Sequence, residues 1–209
     1  MIKPILFLLY VSSLAKFTEK LNYLRNIMQA RPERPRIAWA VTGSGHYLKE
    51  CLEIVRELDD VDLFYSRAGE EVVRMYGYDP KEWVPEGRVY RDRAASSPPV
   101  GLFYRGDYHT LVVAPATSNT VAKMVLGISD TLVTNIFAQA GKCQVPAIVL
   151  ACDSEPEVDT PAPDRIVTLW PRQVDLEHTR RLKTFVDTTV VDDSEQLLAA
   201  VHKRLAELN

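Results

Sequence analysis

No basic stripe runs through this chain of 209 residues. Its 25 lysines and arginines are interspersed among 28 aspartates and glutamates, for a formal charge of −3. A surface of that kind has nothing to lay along a phosphate backbone, so nucleic acid is not an expected partner. Cysteine is scarce. Cys51, Cys143 and Cys152 are odd in number and far apart, and they define neither a disulfide framework nor a C-x-x-C metal site. They point to a reducing, cytoplasmic setting, with no metal site and no iron–sulfur cluster held by this chain alone. Long apolar runs are missing too: Ile5 to Tyr10 falls far short of the roughly 20 residues that span a bilayer, and no membrane partner is expected. What is present, 46% hydrophobic and 25% charged residues, describes a globular chain able to bury a full core in one domain. Disordered and fibrous classes are excluded.

Residues 1–35 stand apart as an N-terminal extension to a domain over 36–209. Lys3, the apolar run behind it, and Ser12, Ser13 and Ala15 have a signal-peptide flavour. Met28, however, stands just before the polar linker Gln29 to Pro35, so residues 1–27 are as readily an over-long start or a loose amphipathic arm as not. From Arg36 onward strand-like and helix-like stretches alternate. Strands are predicted at Ile37 to Val41, Val61 to Tyr65, Leu111 to Ala114, Val145 to Ala151, Arg165 to Leu169 and Thr188 to Val191. Helical spacing marks Tyr47 to Leu58, Glu70 to Tyr76, a stretch around Leu176 to Phe185, and Ser194 to Leu208 capped by Asp193 or Ser194. The alternation implies an α/β, three-layer Rossmann-like (flavodoxin-like) fold with a mostly parallel sheet covered on both faces. Pro80 to Pro99 and Asp153 to Pro163 are read as the long loops.

The first chemical signal is Thr42-Gly43-Ser44-Gly45-His46, at the end of the first strand. Its glycines let backbone N–H groups approach an anion, and the helix that follows adds its positive end. A plain strand-to-helix turn would use the same residues, and Leu48 occupies the place of a dinucleotide fingerprint's third glycine. The second strand sharpens the choice. An NAD site wants an acidic residue there for the ribose hydroxyls, whereas this strand ends in Tyr65-Ser66-Arg67-Ala68, a hydroxyl and a guanidinium suited to phosphate. FMN or a 2′-phosphorylated nucleotide remains, unless Ser66 only caps the next helix and Arg67 is only solvated.

Two longer motifs follow: Pro115-Ala116-Thr117-Ser118-Asn119-Thr120-Val121-Ala122-Lys123, then Gly127-Ile128-Ser129-Asp130-Thr131-Leu132-Val133-Thr134. They resemble the P-A-x-x-N-T-x-A-K and G-I-x-D-x-L-x-T motifs of a flavoprotein superfamily. It includes the flavin-containing cysteine decarboxylases, the flavin prenyltransferases and the dihydromethanopterin reductase-like archaeoflavoproteins, and the likeness runs from residue 36 to about 191. The chemistry of the loop agrees, because isoalloxazine needs polar partners along one edge and close backbone approach on its face. On local grounds alone, Asn119 and Thr120 serve equally as helix caps and Lys123 as a solvated residue. The resemblance implies FMN as cofactor, bound by Thr42, Gly43, Ser44, Gly45, Ser66, Pro115, Ala116, Thr117, Asn119, Thr120 and Asp130.

Within the superfamily, the Ser66 to Val72 run with Met75-Tyr76-Gly77 resembles the archaeoflavoprotein and dihydromethanopterin reductase branch. Decarboxylases of the family carry a histidine fourteen residues before the loop proline, where this chain has Gly101, and a P-x-M-N run that is missing after Pro146. The implied function is an FMN-dependent oxidoreductase reducing a dihydropterin, supplied by NAD(P)H or a ferredoxin-like protein. An electron carrier without its own substrate is the alternative, and a decarboxylase a more distant one. The family further implies a homo-oligomer built from trimers. Met124, Leu126 and Phe137 suit such an interface or the core. His46 adjoins the glycine turn, His178 and His202 read as surface, and Cys152-Asp153 ends a strand on the ligand side.

Overall fold

The computed structural model describes residues 35–79, 82–94, 97–162 and 164–208, so the leader at residues 1–27 lies outside the described residues. From Pro35 on the chain forms one compact unit. In chain order its elements are β1 (Arg36–Val41), α1 (Leu48–Glu57), β2 (Val61–Tyr65), α2 (Arg67–Met75), β3 (Val89–Arg91), α3 (Gly101–Arg105) and β4 (Tyr108–Ala116). There follow α4 (Ser118–Leu126), α5 (Leu132–Lys142), β5 (Ala147–Ala151), β6 (Val158–Pro161), β7 (Ile166–Leu169), α6 (Gln173–Leu182), β8 (Thr188–Val191) and α7 (Ser194–Ala206).

Six strands make one sheet in the order β3-β2-β1-β4-β5-β8, and every pairing is parallel. Alternate side chains of each strand feed two separate cores. Trp39, Leu63, Val112 and Ile148 pack with Leu52 and Val55 of α1 and Leu197 of α7. Ala38, Phe64, Val113 and Val149 pack with Phe103 of α3, Val121 and Met124 of α4, Ile136 of α5 and Leu182 of α6. Two buried layers account for strands that read as continuous apolar runs. The chain winds outward in opposite directions from β1 and β4, so their carboxyl ends part and open a crevice there.

Three departures from the sequence expectations concern strands, and one is β6 itself, which lies inside the expected loop Asp153 to Pro163. Arg165 to Leu169 does not join the main sheet; β7 pairs antiparallel with β6 as a separate hairpin. Ile166 is 73% exposed and Leu169 45%, so this β-branched run has strand propensity without a face to bury. Inside the expected loop Pro80 to Pro99, Val89–Arg91 adds the edge strand β3 beside β2. The opposite end of the sheet is fastened by Asp62, wholly buried, which accepts from the Arg36 guanidinium at 2.8 Å and from the Tyr108 hydroxyl at 2.7 Å. Of the residues suited to either interface or core, Met124 is buried, Phe137 half-buried and Leu126 exposed. No helix among the described residues is long and apolar enough to cross a membrane.

Candidate functional site

Three strand ends and two helix starts meet at the crevice. Beyond β1, Thr42 is buried; its hydroxyl donates to the Pro115 carbonyl at 2.8 Å and accepts from the Thr117 N–H at 2.9 Å. One side chain thus clips the glycine turn to the loop after β4. Beyond β2, the Ser66 hydroxyl caps α2 by accepting from Gly69 N–H at 2.9 Å. The next two N–H groups, of Arg67 and Ala68, meet no acceptor among the described residues. Beyond β4, Thr117 caps α4, its hydroxyl accepting from Thr120 N–H at 3.3 Å.

These parts enclose a cavity of about 530 Å³ lined by Gly43, Ser66, Arg67, Ala68, Asp92, Thr117, Asn119, Thr120, Lys123, Asp130 and Thr131. The starts of α2 and α4 both open on it, so its wall carries partial positive charge before any side chain is counted. Glycine brings the walls together: a Cβ on Gly43 would lie 2.6 Å from that of Ala68, and one on Gly69 would lie 2.4 Å from the Val41 carbonyl oxygen. Lys123 donates to both carboxylate oxygens of Asp130, at 2.9 and 2.8 Å, and holds that carboxyl below its usual range. The Arg67 guanidinium is steered by the backbone carbonyl of Asp92 at 3.1 Å.

Six of the sequence-derived residues, Gly43, Ser66, Thr117, Asn119, Thr120 and Asp130, line this cavity together. The other five stand around it. Thr42 and the Pro115 carbonyl make the clip, Ala116 is buried in β4, and Ser44 turns to His46, whose N–H donates to the Ser44 hydroxyl at 3.1 Å. Gly45 lies under Tyr76, whose hydroxyl donates to the Pro161 carbonyl of the hairpin at 2.6 Å. Ser66 caps α2 and also lines the cavity. Lys123 is a cavity residue 25% exposed, not a solvated one. Asp92 and Thr131 went unnoticed in the sequence; Thr131 could have been found from its capping box with Thr134.

Neither ring nitrogen of His46 has a partner among the described residues, although both are buried, and burial pulls its pKa down. His178 is half-buried, not on the surface, and its Nδ1 is likewise unpartnered; His202 is exposed. Burial pushes the Cys152 thiol up to about 12. No cluster able to hold a metal ion occurs among the described residues.

Comparison with known proteins supplies the context. The Flavoprotein family model matches residues 26–208. Dihydromethanopterin reductase (acceptor) of Methanosarcina mazei is 41% identical over 144 residues, 63% of this chain and 60% of that protein. The protein of the same description from Methanocaldococcus jannaschii is 41% identical over 131 residues, 56% of this chain and 53% of its own length. The chain therefore spans less than two thirds of either curated relative. Among solved structures, Burkholderia xenovorans DmrB in complex with FMN, described as a cubic protein cage for redox transfer, superposes with a TM-score of 0.78 at 50% identity. That match covers 84% of this chain and 98% of DmrB.

Proposed function

The chain belongs to the Flavoprotein family, and on that premise we propose that it is an FMN-dependent reductase whose acceptor is a dihydropterin. The observation that carries the cofactor is the cavity itself. Its unpartnered Arg67 and Ala68 N–H groups, at the start of a helix, are donors waiting for an anion, and the Arg67 guanidinium stands beside them. Ser66 and these two residues would take the phosphate. Thr117, Asn119 and Thr120 would meet the polar edge of the ring, and Thr131 with the Lys123–Asp130 pair would close the far wall. The approach of Gly43 to Ala68 leaves no room for a larger residue at position 43. FMN, when bound, supplies two-electron chemistry with hydride donors and acceptors.

The chain's own part in such a reaction is to bind, orient and screen. Reduction of a C=N bond asks of the protein a shaped pocket over the flavin face and a proton, which water can provide. The reading therefore asks for no acid–base dyad among the described residues that line the cavity. The acceptor is carried over from relatives named for dihydromethanopterin reduction, and FMN from DmrB at 50% identity. From the family resemblance we further infer a homo-oligomer built from trimers and a donor that is NAD(P)H or a ferredoxin-like protein, from the scarce cysteines a cytoplasmic setting, and from the sequence pattern a functional domain over residues 36–209.

The test is spectroscopic. The purified protein should be yellow and release FMN on denaturation, and stopped-flow mixing of the reduced protein with dihydromethanopterin or dihydrofolate should restore the oxidised spectrum. No acceleration by any pterin, alongside fast exchange with a ferredoxin, would overturn the reductase reading in favour of an electron carrier.

A further inference from the structure

Two carboxylates line the cavity, and they differ in one respect. Both oxygens of Asp130 are occupied by Lys123. Asp92, which follows β3 and lies at the edge of the sheet, is held only through its backbone. Its N–H donates to the Tyr65 carbonyl at 3.1 Å, and its carbonyl accepts from Arg67. Its carboxylate accepts no hydrogen bond and meets no cation among the described residues, although the residue is half-buried in the cavity wall. The backbone of Asp92 is thus fixed at the cavity wall by main-chain bonds, and its carboxylate has no protein donor among the described residues.

We propose that Asp92 is the specificity-determining residue for the acceptor, binding the amino-pyrimidinone edge of a pterin. The proposal rests on the reductase reading above. A pterin presents two adjacent donors, the ring N3–H and the 2-amino group, in the parallel arrangement that a carboxylate accepts through both oxygens. The pyrimidine edge of flavin offers N3–H between two carbonyls, and a carboxylate set against it would face two like partial charges. Asp92 therefore suits the acceptor and not the flavin ring.

The experiment uses oxidised, FMN-loaded protein and two aromatic probes, pterin and lumazine. Lumazine carries an oxygen in place of the 2-amino group. Fluorescence titration should give wild-type protein at least about a tenfold preference for pterin, because a site built to accept from an N–H rejects the analogue that lacks it. Asp92→Asn and Asp92→Ala should abolish that preference while FMN affinity and the rate of flavin reoxidation by ferricyanide stay unchanged. A wild-type protein without preference, or a preference that survives both substitutions, overturns the proposal. Loss of FMN in the variants overturns it too, since the carboxylate would then serve the ribityl chain. Failure of the reductase reading shows separately, as reduced wild-type protein that no dihydropterin reoxidises, because the binding comparison needs no turnover.

Discussion

Replacing Gly69 by alanine sets two opposed effects against each other at the wall of the cavity. Gly69 is the third residue of α2, and alanine in a helix is better than glycine by up to about 1 kcal/mol. Against this, its Cβ would sit 2.4 Å from the Val41 carbonyl oxygen and 3.0 Å from the carbonyl carbon, backbone that has no rotamer to change. The same oxygen accepts from Ser66 N–H at 3.1 Å, so moving it away strains the bond that ties α2 to β1. Overpacking of this kind costs about 1–3 kcal/mol, and a contact this short to backbone lies toward the upper end, so the helix gain leaves a net loss of about 1–2 kcal/mol. In urea that is a fall in midpoint of about 0.5–1 M, taking a slope near 2 kcal/mol/M. Because α2 would be pushed off the glycine turn, FMN should also dissociate more readily in a fluorescence titration. Gly141, in α5, is the matched control: nothing lies within 4 Å of its Cβ position, and Gly141→Ala should raise the midpoint. A Gly69→Ala protein at least as stable as wild type, with unchanged flavin affinity, would refute the close approach on which the cavity's shape depends.

The cap and the thiol give further tests. Ser66→Ala removes the cap of α2 and a cavity hydroxyl together, so stability should drop by about 0.5–2 kcal/mol in urea unfolding and FMN release should quicken; unchanged flavin affinity would remove Ser66 from the site. Asn119→Ala, which caps nothing in the structure, should weaken FMN binding with little change in the unfolding midpoint, and equal losses in both would mark it as structural. Burial raises the Cys152 thiol from about 9 to about 12, so the stability contributed by its neutral form is whole below pH 9 and is lost as the pH climbs toward 12. Comparing unfolding midpoints at pH 8 and 10.5, Cys152→Ala should show a shallower decline than wild type; identical declines would contradict the burial.

Much of the fold was legible because it follows from burial on two faces. Val61–Tyr65 and Thr188–Val191 stand as the sequence proposed, and the glycine turn does join β1 to α1. The hairpin misled because Ile166-Val167-Thr168-Leu169 has the β-branched content of a core strand, and propensity does not report whether a second layer covers it. β3 escaped because three residues, Val89-Tyr90-Arg91, are too few to show a period and gain their order from pairing with β2. In the site, Ser66 and the residues from Thr117 to Thr120 were legible as hydroxyls and amides placed just past strands. Asp92 was not. It follows an unrecognised strand within an aperiodic stretch, and only the sheet order brings it beside Arg67.

His46 shows where local adjacency stops being informative. It follows the glycine turn directly and would be the obvious base from sequence position, yet it does not line the cavity. Its ring lies edge-on to Tyr47 with centroids 3.9 Å apart, and Ser44 engages its backbone N–H rather than its ring. Desolvation keeps the imidazole neutral despite the nearby Asp153 and Glu50, so it brings no positive charge to the site at neutral pH. The groups that do face the cavity are hydroxyls, the Asn119 amide, two helix starts, Arg67, the Lys123–Asp130 pair and the Asp92 carboxylate, which has no partner among the described residues. That set fits binding and orientation of an anionic, polar-edged cofactor, with the hard chemistry left to the cofactor. What distinguishes one acceptor from another must then come from how the remaining space is lined, and the partnerless carboxylate of Asp92 is the feature of that lining with the narrowest chemical preference.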